Sequence, residues 1–194
     1  MNTTLVLASN SPRRRSLLAA AGFQFEVRPP KIAERHDVDL TPRELTTWNA
    51  VRKGLAIARR CPDAVILSAD TIVVLGRAVL GKPRDTDEAV EMLRRLSGRV
   101  HEVCSAVFIC EAARGSSTTF HETSRVKFRR LNDAAIRRYI AKVHVLDKAG
   151  AYAAQEHAAD IIERVDGSYT NVVGLPMEKT TAALADFRVR PKEI

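Results

Sequence analysis

The 194 residues predict an α/β protein built on a mixed, twisted β-sheet with helices around it. Three observations lead there. Short apolar runs of strand length, such as Leu5-Val6-Leu7-Ala8 and Ala64 to Ala69, are separated by segments with helical spacing and caps. Two long stretches, Val100 to Cys110 and Thr118 to Phe128, flank a loop at Gly115 and predict a pair of antiparallel strands. The order of elements lacks the regular alternation of a doubly wound sheet. The length suits one sizeable α/β domain or two small lobes sharing a core.

In chain order, Leu5 to Ala8 forms a short buried strand ending in the polar turn Ser9-Asn10-Ser11-Pro12. A helix follows with Leu17, Leu18 and Ala21 on its apolar face, and Gly22 stops it. Phe23 to Val27 alternates as a half-buried strand does. Thr41, Pro42 and Glu44 write a capping box with proline at the first helical position. The stripe Leu45, Trp48, Val51, Leu55 and Ala58 is expected to face the core, with Trp48 as packing. Ala64 to Ala69 is a buried strand running into Asp70-Thr71, and Gly76-Arg77 turns a hairpin between Ile72–Leu75 and Ala78–Leu80. Asp85 or Thr86 caps a helix to Leu96 with Gly98 beyond it, and Asn132 caps another to about Lys142. Ile161 to Val165 is a strand, Asp166-Gly167 a turn, and Glu178 to Leu184 the last helix.

Composition narrows the function classes. With 45% hydrophobic and 28% charged residues the chain is globular, not disordered. Only the four-residue apolar run Leu5 to Ala8 leads up to Ser9, too short for a signal-peptide core, and no run approaches the ~20 residues that span a bilayer. Three cysteines (Cys61, Cys104, Cys110) without a Cys-x-x-Cys pair argue against a disulfide scaffold and for a reducing cytoplasm. The five histidines are scattered without zinc spacing. The net charge of +8 suits either a nucleic-acid surface or a pocket for a phosphorylated small molecule. The cations are spread along the chain and aromatics are only 5%, which favours the small molecule.

Several residues carry candidate chemistry. In the turn Ser9 to Arg14, hydroxyls, two arginines and a helix N-terminus make a phosphate cradle, though without the glycines of a Walker loop. The plainer alternative is that Ser11 caps the helix and the arginines are solvated. Asp70 ends a buried strand, where a carboxylate can hold a divalent cation, accept a proton from water, or simply bond a turn. Glu34 is a second candidate metal ligand. Lys53 lies in a helix and Lys82 in the stiff turn Gly81-Lys82-Pro83. Gln155 follows the small residues of Gly150 to Ala154, and Gly167 to Pro176 gathers hydroxyls, an amide and two glycines.

Taken together, Leu7 to Arg14, Ser68-Ala69-Asp70-Thr71, Gly81-Lys82-Pro83, Asp147 to Tyr152 with Gln155, and Gly167 to Pro176 resemble the Maf family over nearly the whole chain. The resemblance implies a single Maf-like domain over 1–194. Its fold would be like that of inosine triphosphate pyrophosphatases, two lobes around a cleft, often dimeric. It implies hydrolysis of nucleoside triphosphates to monophosphate and pyrophosphate with a divalent cation, Mg2+ or Mn2+. By matched position Asp70 is the family's catalytic acidic residue, the proton acceptor, and Asp70 with Glu34 serves the metal. Ser9, Arg13, Arg14, Lys53 and Lys82 are pocket residues. Arg13, Thr71 and Gln155 match the branch acting on thymidine and uridine triphosphates rather than the one acting on methylated guanine nucleotides. Arg52 and Gly54 flank Lys53 where acidic and alanine residues are more usual, and His157-Ala158-Ala159 replaces a glycine-richer stretch. The alternatives are a pyrophosphatase for other modified nucleotides, or a non-catalytic nucleic-acid or cell-division regulator.

Overall fold

The structure is a computed structural model describing residues 4–35 and 39–192; His36 lies outside the described residues. The strands are β1 (Leu5–Leu7), β2 (Glu26–Val27), β3 (Val65–Leu75), β4 (Ala78–Leu80), β5 (Val100–Glu111), β6 (Ser116–Phe128) and β7 (Ile162–Asp166). The helices are α1 (Pro12–Ala20), α2 (Pro42–Ala58), α3 (Thr86–Leu96), α4 (Asp133–Lys142), α5 (Ala158–Ile161), α6 (Tyr169–Val173) and α7 (Met177–Asp186). Among the described residues the sheet order is β2-β1-β3-β5-β6-β7, with β4 paired to β3. β1 pairs parallel with β2 and β3, while β3–β4 and β6–β7 are antiparallel, so the sheet is mixed as expected.

Two compact units share these elements. One holds 1–70, 105–122 and 174–194, the other 71–104 and 123–173. In the first, strand alternation sorts side chains onto two faces. Leu5, Leu7, Val65, Leu67 and Ala69 pack with Leu18 of α1 and Leu184 of α7. Val6, Ala8 and Ile66 point the other way and pack with Ala50, Ile57 and Ala58 of α2 and with Phe108 of β5. Each fully buried Leu or Ile contributes roughly 1.5–3 kcal/mol, so both faces hold the sheet. In the second unit Gly76, at φ +62°, turns the β3–β4 hairpin. Asp85 caps α3 by accepting from the Glu88 N–H, and Asn132 caps α4 through the Ala135 N–H.

The capping box of α2 forms as read: Thr41 accepts from the Glu44 N–H, and the Glu44 carboxylate accepts from the Thr41 N–H. The buried face of that helix is not the expected stripe. Leu45 and Ala58 are buried, but Trp48 is 47% and Leu55 42% exposed. The face turned inward carries Thr46, Asn49, Ala50, Lys53, Gly54 and Ile57. Close approach explains the choice: a Cβ on Gly54 would stand 2.5 Å from Phe108 Cδ1 and 2.7 Å from Ser68 Oγ. Only the small-residue side lets α2 lie this near the sheet. Trp48 instead lies beneath the Arg35 guanidinium, 6.0 Å from its ring centroid, in a cation–π contact.

Two strand boundaries also differ from expectation. Phe23 to Phe25 stays outside β2, and the Phe23 N–H closes α1 on Leu18 O at 3.1 Å. β3 does not end at Asp70 but continues to Leu75, so Asp70 is a mid-strand residue on the α2-facing side.

Candidate active site

Three segments of the first unit meet at Lys53. Its ammonium donates to Asp70 Oδ1 at 2.6 Å and to Glu34 Oε1 at 2.5 Å. The side chains of Lys53 and Asp70 are only 8% and 7% exposed, and that of Glu34 27%. Burial strips water from these charges, so each depends on the others; removing one partner of such a pair costs about 3–5 kcal/mol. Asn49 stands one helical turn before Lys53 on the same face of α2. Its Nδ2 donates to Asp70 Oδ2 at 3.2 Å and to Arg35 O at 3.1 Å, while its Oδ1 accepts from Arg35 N at 3.0 Å. Arg52 Nη1 donates to Ala33 O at 3.3 Å. Both neighbours of Glu34 in the chain are thereby tied to α2, which brings an otherwise irregular loop to the charge cluster.

The turn after β1 supplies a second cation. Ser11 caps α1 by accepting from the Arg14 N–H, as the plainer reading held. Arg14 is not solvated: it is buried, with Nε donating to Gly174 O at 2.8 Å and Nη1 to Ala69 O at 2.9 Å and Ser9 Oγ at 3.2 Å. Burial lowers its pKa, and the carboxylates of Asp70 and Glu34 oppose that shift. Ser9, also buried, accepts from the Ser11 N–H at 3.1 Å. Two carboxylates and two cations thus balance near Asp70. Arg13 is half-buried beside Arg14 on α1.

In the second unit, Thr71 is half-buried in β3 and Lys82 is exposed between Gly81 and buried Pro83. Gln155 is exposed at the end of a segment of buried residues, Gly150 to Ala154. That segment is joined to the Lys82 turn, since the Gly150 N–H donates to Gly81 O at 3.0 Å.

Among the described residues no group of three or more His, Cys, Asp or Glu stands together. Asp70 and Glu34 are the two carboxylates that meet at Lys53. Two carboxylates that already share one ammonium fit the magnesium mode, in which one or two carboxylates act with phosphate oxygens of the substrate.

A family model for Maf-like proteins matches residues 4–187. The chain belongs to the Maf family. A dTTP/UTP pyrophosphatase of Pelotomaculum thermopropionicum is 44% identical over 183 residues, covering 94% of this chain and 96% of that protein. One of Anaeromyxobacter dehalogenans is 47% identical over 186 residues, covering 95% and 94%. A solved structure of a HAM1 protein from Coxiella burnetii superposes with a TM-score of 0.56 at 14% identity, covering 95% of this chain and all of that one. At that identity it speaks for the fold alone: a mixed α/β sheet with surrounding helices.

Within this Maf chain, hydrogen bonds join Lys53 to Glu34 and Asp70 and join Arg14 to Ser9, with Arg13 next to Arg14 on α1. Thr71, Lys82 and Gln155 belong to the other unit. Asn49 was missed. Its signal was present in the spacing Thr46, Asn49, Lys53, a polar strip at three and four residues on a helix whose apolar stripe drew the attention.

Proposed function

We propose that this Maf protein hydrolyses dTTP and UTP to the nucleoside monophosphate and pyrophosphate. The observation that carries the reading is the buried Asp70–Lys53–Glu34 cluster, in a chain whose relatives named dTTP/UTP pyrophosphatases are 40–47% identical. Asn49 and Lys53 each hold one oxygen of Asp70, so the carboxylate is oriented before substrate arrives. Asp70 then takes the proton of a water whose oxygen attacks the α phosphorus. The bond from that phosphorus to the α–β bridging oxygen breaks, and pyrophosphate leaves. Arg13 and Lys82 bind the phosphates; Arg14, fixed by main-chain carbonyls, adds charge without moving. A Mg2+ or Mn2+ ion held by Asp70 and Glu34 supplies neutralisation of phosphate charge when bound. Thr71 and Gln155 read the base. A uracil or thymine edge presents an N3–H between two carbonyls, which an amide able to donate and accept can pair. Three free cysteines suit work in a reducing cytoplasm.

The test is a panel of dTTP, UTP, ITP, ATP and 7-methyl-GTP with magnesium or manganese, reading pyrophosphate and monophosphate separately. Preference for dTTP and UTP with pyrophosphate release is the expected result. Selective use of another triphosphate overturns the substrate reading. Turnover by a folded Asp70→Asn protein overturns the role of Asp70.

A further inference from the structure

The second unit devotes every tyrosine of the chain to one short segment. Tyr139 OH accepts from the Ala153 N–H at 2.9 Å and donates to Ala153 O at 3.3 Å. Tyr169 OH donates to Ala154 O at 2.7 Å. Tyr152, inside the segment, has its OH 2.9 Å from His101 Nε2, and its ring meets His101 and Phe128 edge-on at 5.4 and 4.9 Å. The segment needs holding: Gly150 is at φ +70°, and Ala151, buried, is at φ +60°, a left-handed conformation that alanine resists. A Cβ at Gly150 would meet Val73 Cγ2 at 3.1 Å, so the segment lies close against β3. One end of the segment is bonded to Gly81, next to Lys82, and the other end is Gln155. Two groups read as substrate contacts are therefore linked through a backbone that hydroxyl groups pin.

We infer that Tyr139 and Tyr169 are positioning residues for substrate selection: their hydroxyls clamp the main chain at Ala153 and Ala154, holding Gln155 in register with the Lys82 turn. The inference rests on the reading of Gln155 as base-recognising. Nothing in it requires either tyrosine to touch substrate. Tyr169 is 47% exposed, so Tyr169→Phe removes its hydroxyl at little risk to folding, whereas Tyr139 is buried.

Amide hydrogen exchange at Ala153, Ala154 and Gln155 is measured for the wild type, Tyr139→Phe and Tyr169→Phe. The kcat/KM ratio of UTP to ATP is measured for the same proteins, for Gln155→Ala and for Tyr169→Phe/Gln155→Ala. Exchange in this segment is expected to quicken in both tyrosine variants, and the UTP:ATP ratio to fall by about fivefold in Tyr169→Phe, the factor of one ordinary hydrogen bond. The double variant should show no fall beyond that of Gln155→Ala, because the hydroxyl acts through the amide. Unchanged exchange in Tyr169→Phe overturns the clamp whatever the kinetics. Faster exchange with an intact ratio, or additive effects in the double variant, overturns its link to selection. A wild-type ratio in Gln155→Ala marks the distinct failure of the base-recognition reading, and overturns the positioning role with it.

Discussion

Replacing Gly54 by alanine sets two effects of known size against each other. In a helix interior alanine is favoured over glycine by about 1 kcal/mol, so propensity alone predicts a more stable protein. The structure predicts the reverse. The new Cβ would lie 2.5 Å from Phe108 Cδ1, 2.8 Å from Cε1 and 2.7 Å from Ser68 Oγ, where carbon contacts prefer about 3.5–4.0 Å. Neither neighbour gives way easily. Phe108 is buried in β5, and the Ser68 hydroxyl bonds Ala50 O at 2.8 Å. Overpacking of this kind costs roughly 1–3 kcal/mol, and a gap about 1 Å too small belongs at the upper end. The net expectation is a loss of about 1–2 kcal/mol, or roughly 2–8 °C in Tm for a chain of this size. Activity should fall too, because a displaced α2 carries Lys53 away from Asp70. Urea denaturation of wild type, Gly54→Ala and Gly54→Ala/Phe108→Leu measures it, with the smaller residue at 108 restoring part of the loss. A Gly54→Ala protein as stable as wild type, or more so, would refute the claim that α2 packs this closely.

Other expectations follow from single contacts. Asn49→Leu removes three hydrogen bonds, and should lose about 2–4 kcal/mol by urea denaturation and lower kcat by freeing Asp70 and the Glu34 loop; wild-type kcat would deny Asn49 its positioning role. Arg14→Lys should lower Tm by several degrees because one ammonium cannot meet Gly174 O, Ala69 O and Ser9 Oγ together, while Arg13→Ala should raise KM for the triphosphate with Tm little changed. Burial lowers the His101 pKa from 6.5 to about 4, so the unfolded chain takes up this proton first as pH falls. The stability it contributes is full above pH 6.5 and declines toward pH 4, by about 3 kcal/mol in all. In His101→Gln that component of the acid loss should vanish; an unchanged slope between pH 6.5 and 4 counts against a neutral buried imidazole.

What could be read from the chain was whatever local chemistry decides. The Thr41–Glu44 box, the Asp85 and Asn132 caps and the Gly76 hairpin are settled by neighbours within a few residues, and they stand where the sequence put them. The face of α2 was misjudged because hydrophobicity named Trp48 and Leu55, whereas fit against Phe108 and Ser68 selected Gly54 and Ala50. Asp70 is legible as a carboxylate beside an apolar run, but the structure joins that run to Ile72–Leu75 as one strand, β3, through Asp70. The candidates Ser9, Arg13, Arg14, Glu34, Lys53, Asp70, Thr71, Lys82 and Gln155 are grouped by family resemblance, since no local pattern links residues spread over loops, helices and a strand. Asn49 lay outside that pattern and emerged only from three hydrogen bonds, two of them to the backbone of Arg35.

The central claim is that water, activated at Asp70, attacks the α phosphorus of a pyrimidine nucleoside triphosphate. Hydrolysis of UTP in 18O-enriched water, with Mg2+ and the products resolved by mass spectrometry, tests it most directly. The account predicts one 18O in UMP and none in pyrophosphate, with turnover lost in a folded Asp70→Asn protein. Label in pyrophosphate, or UDP and phosphate as products, would contradict it.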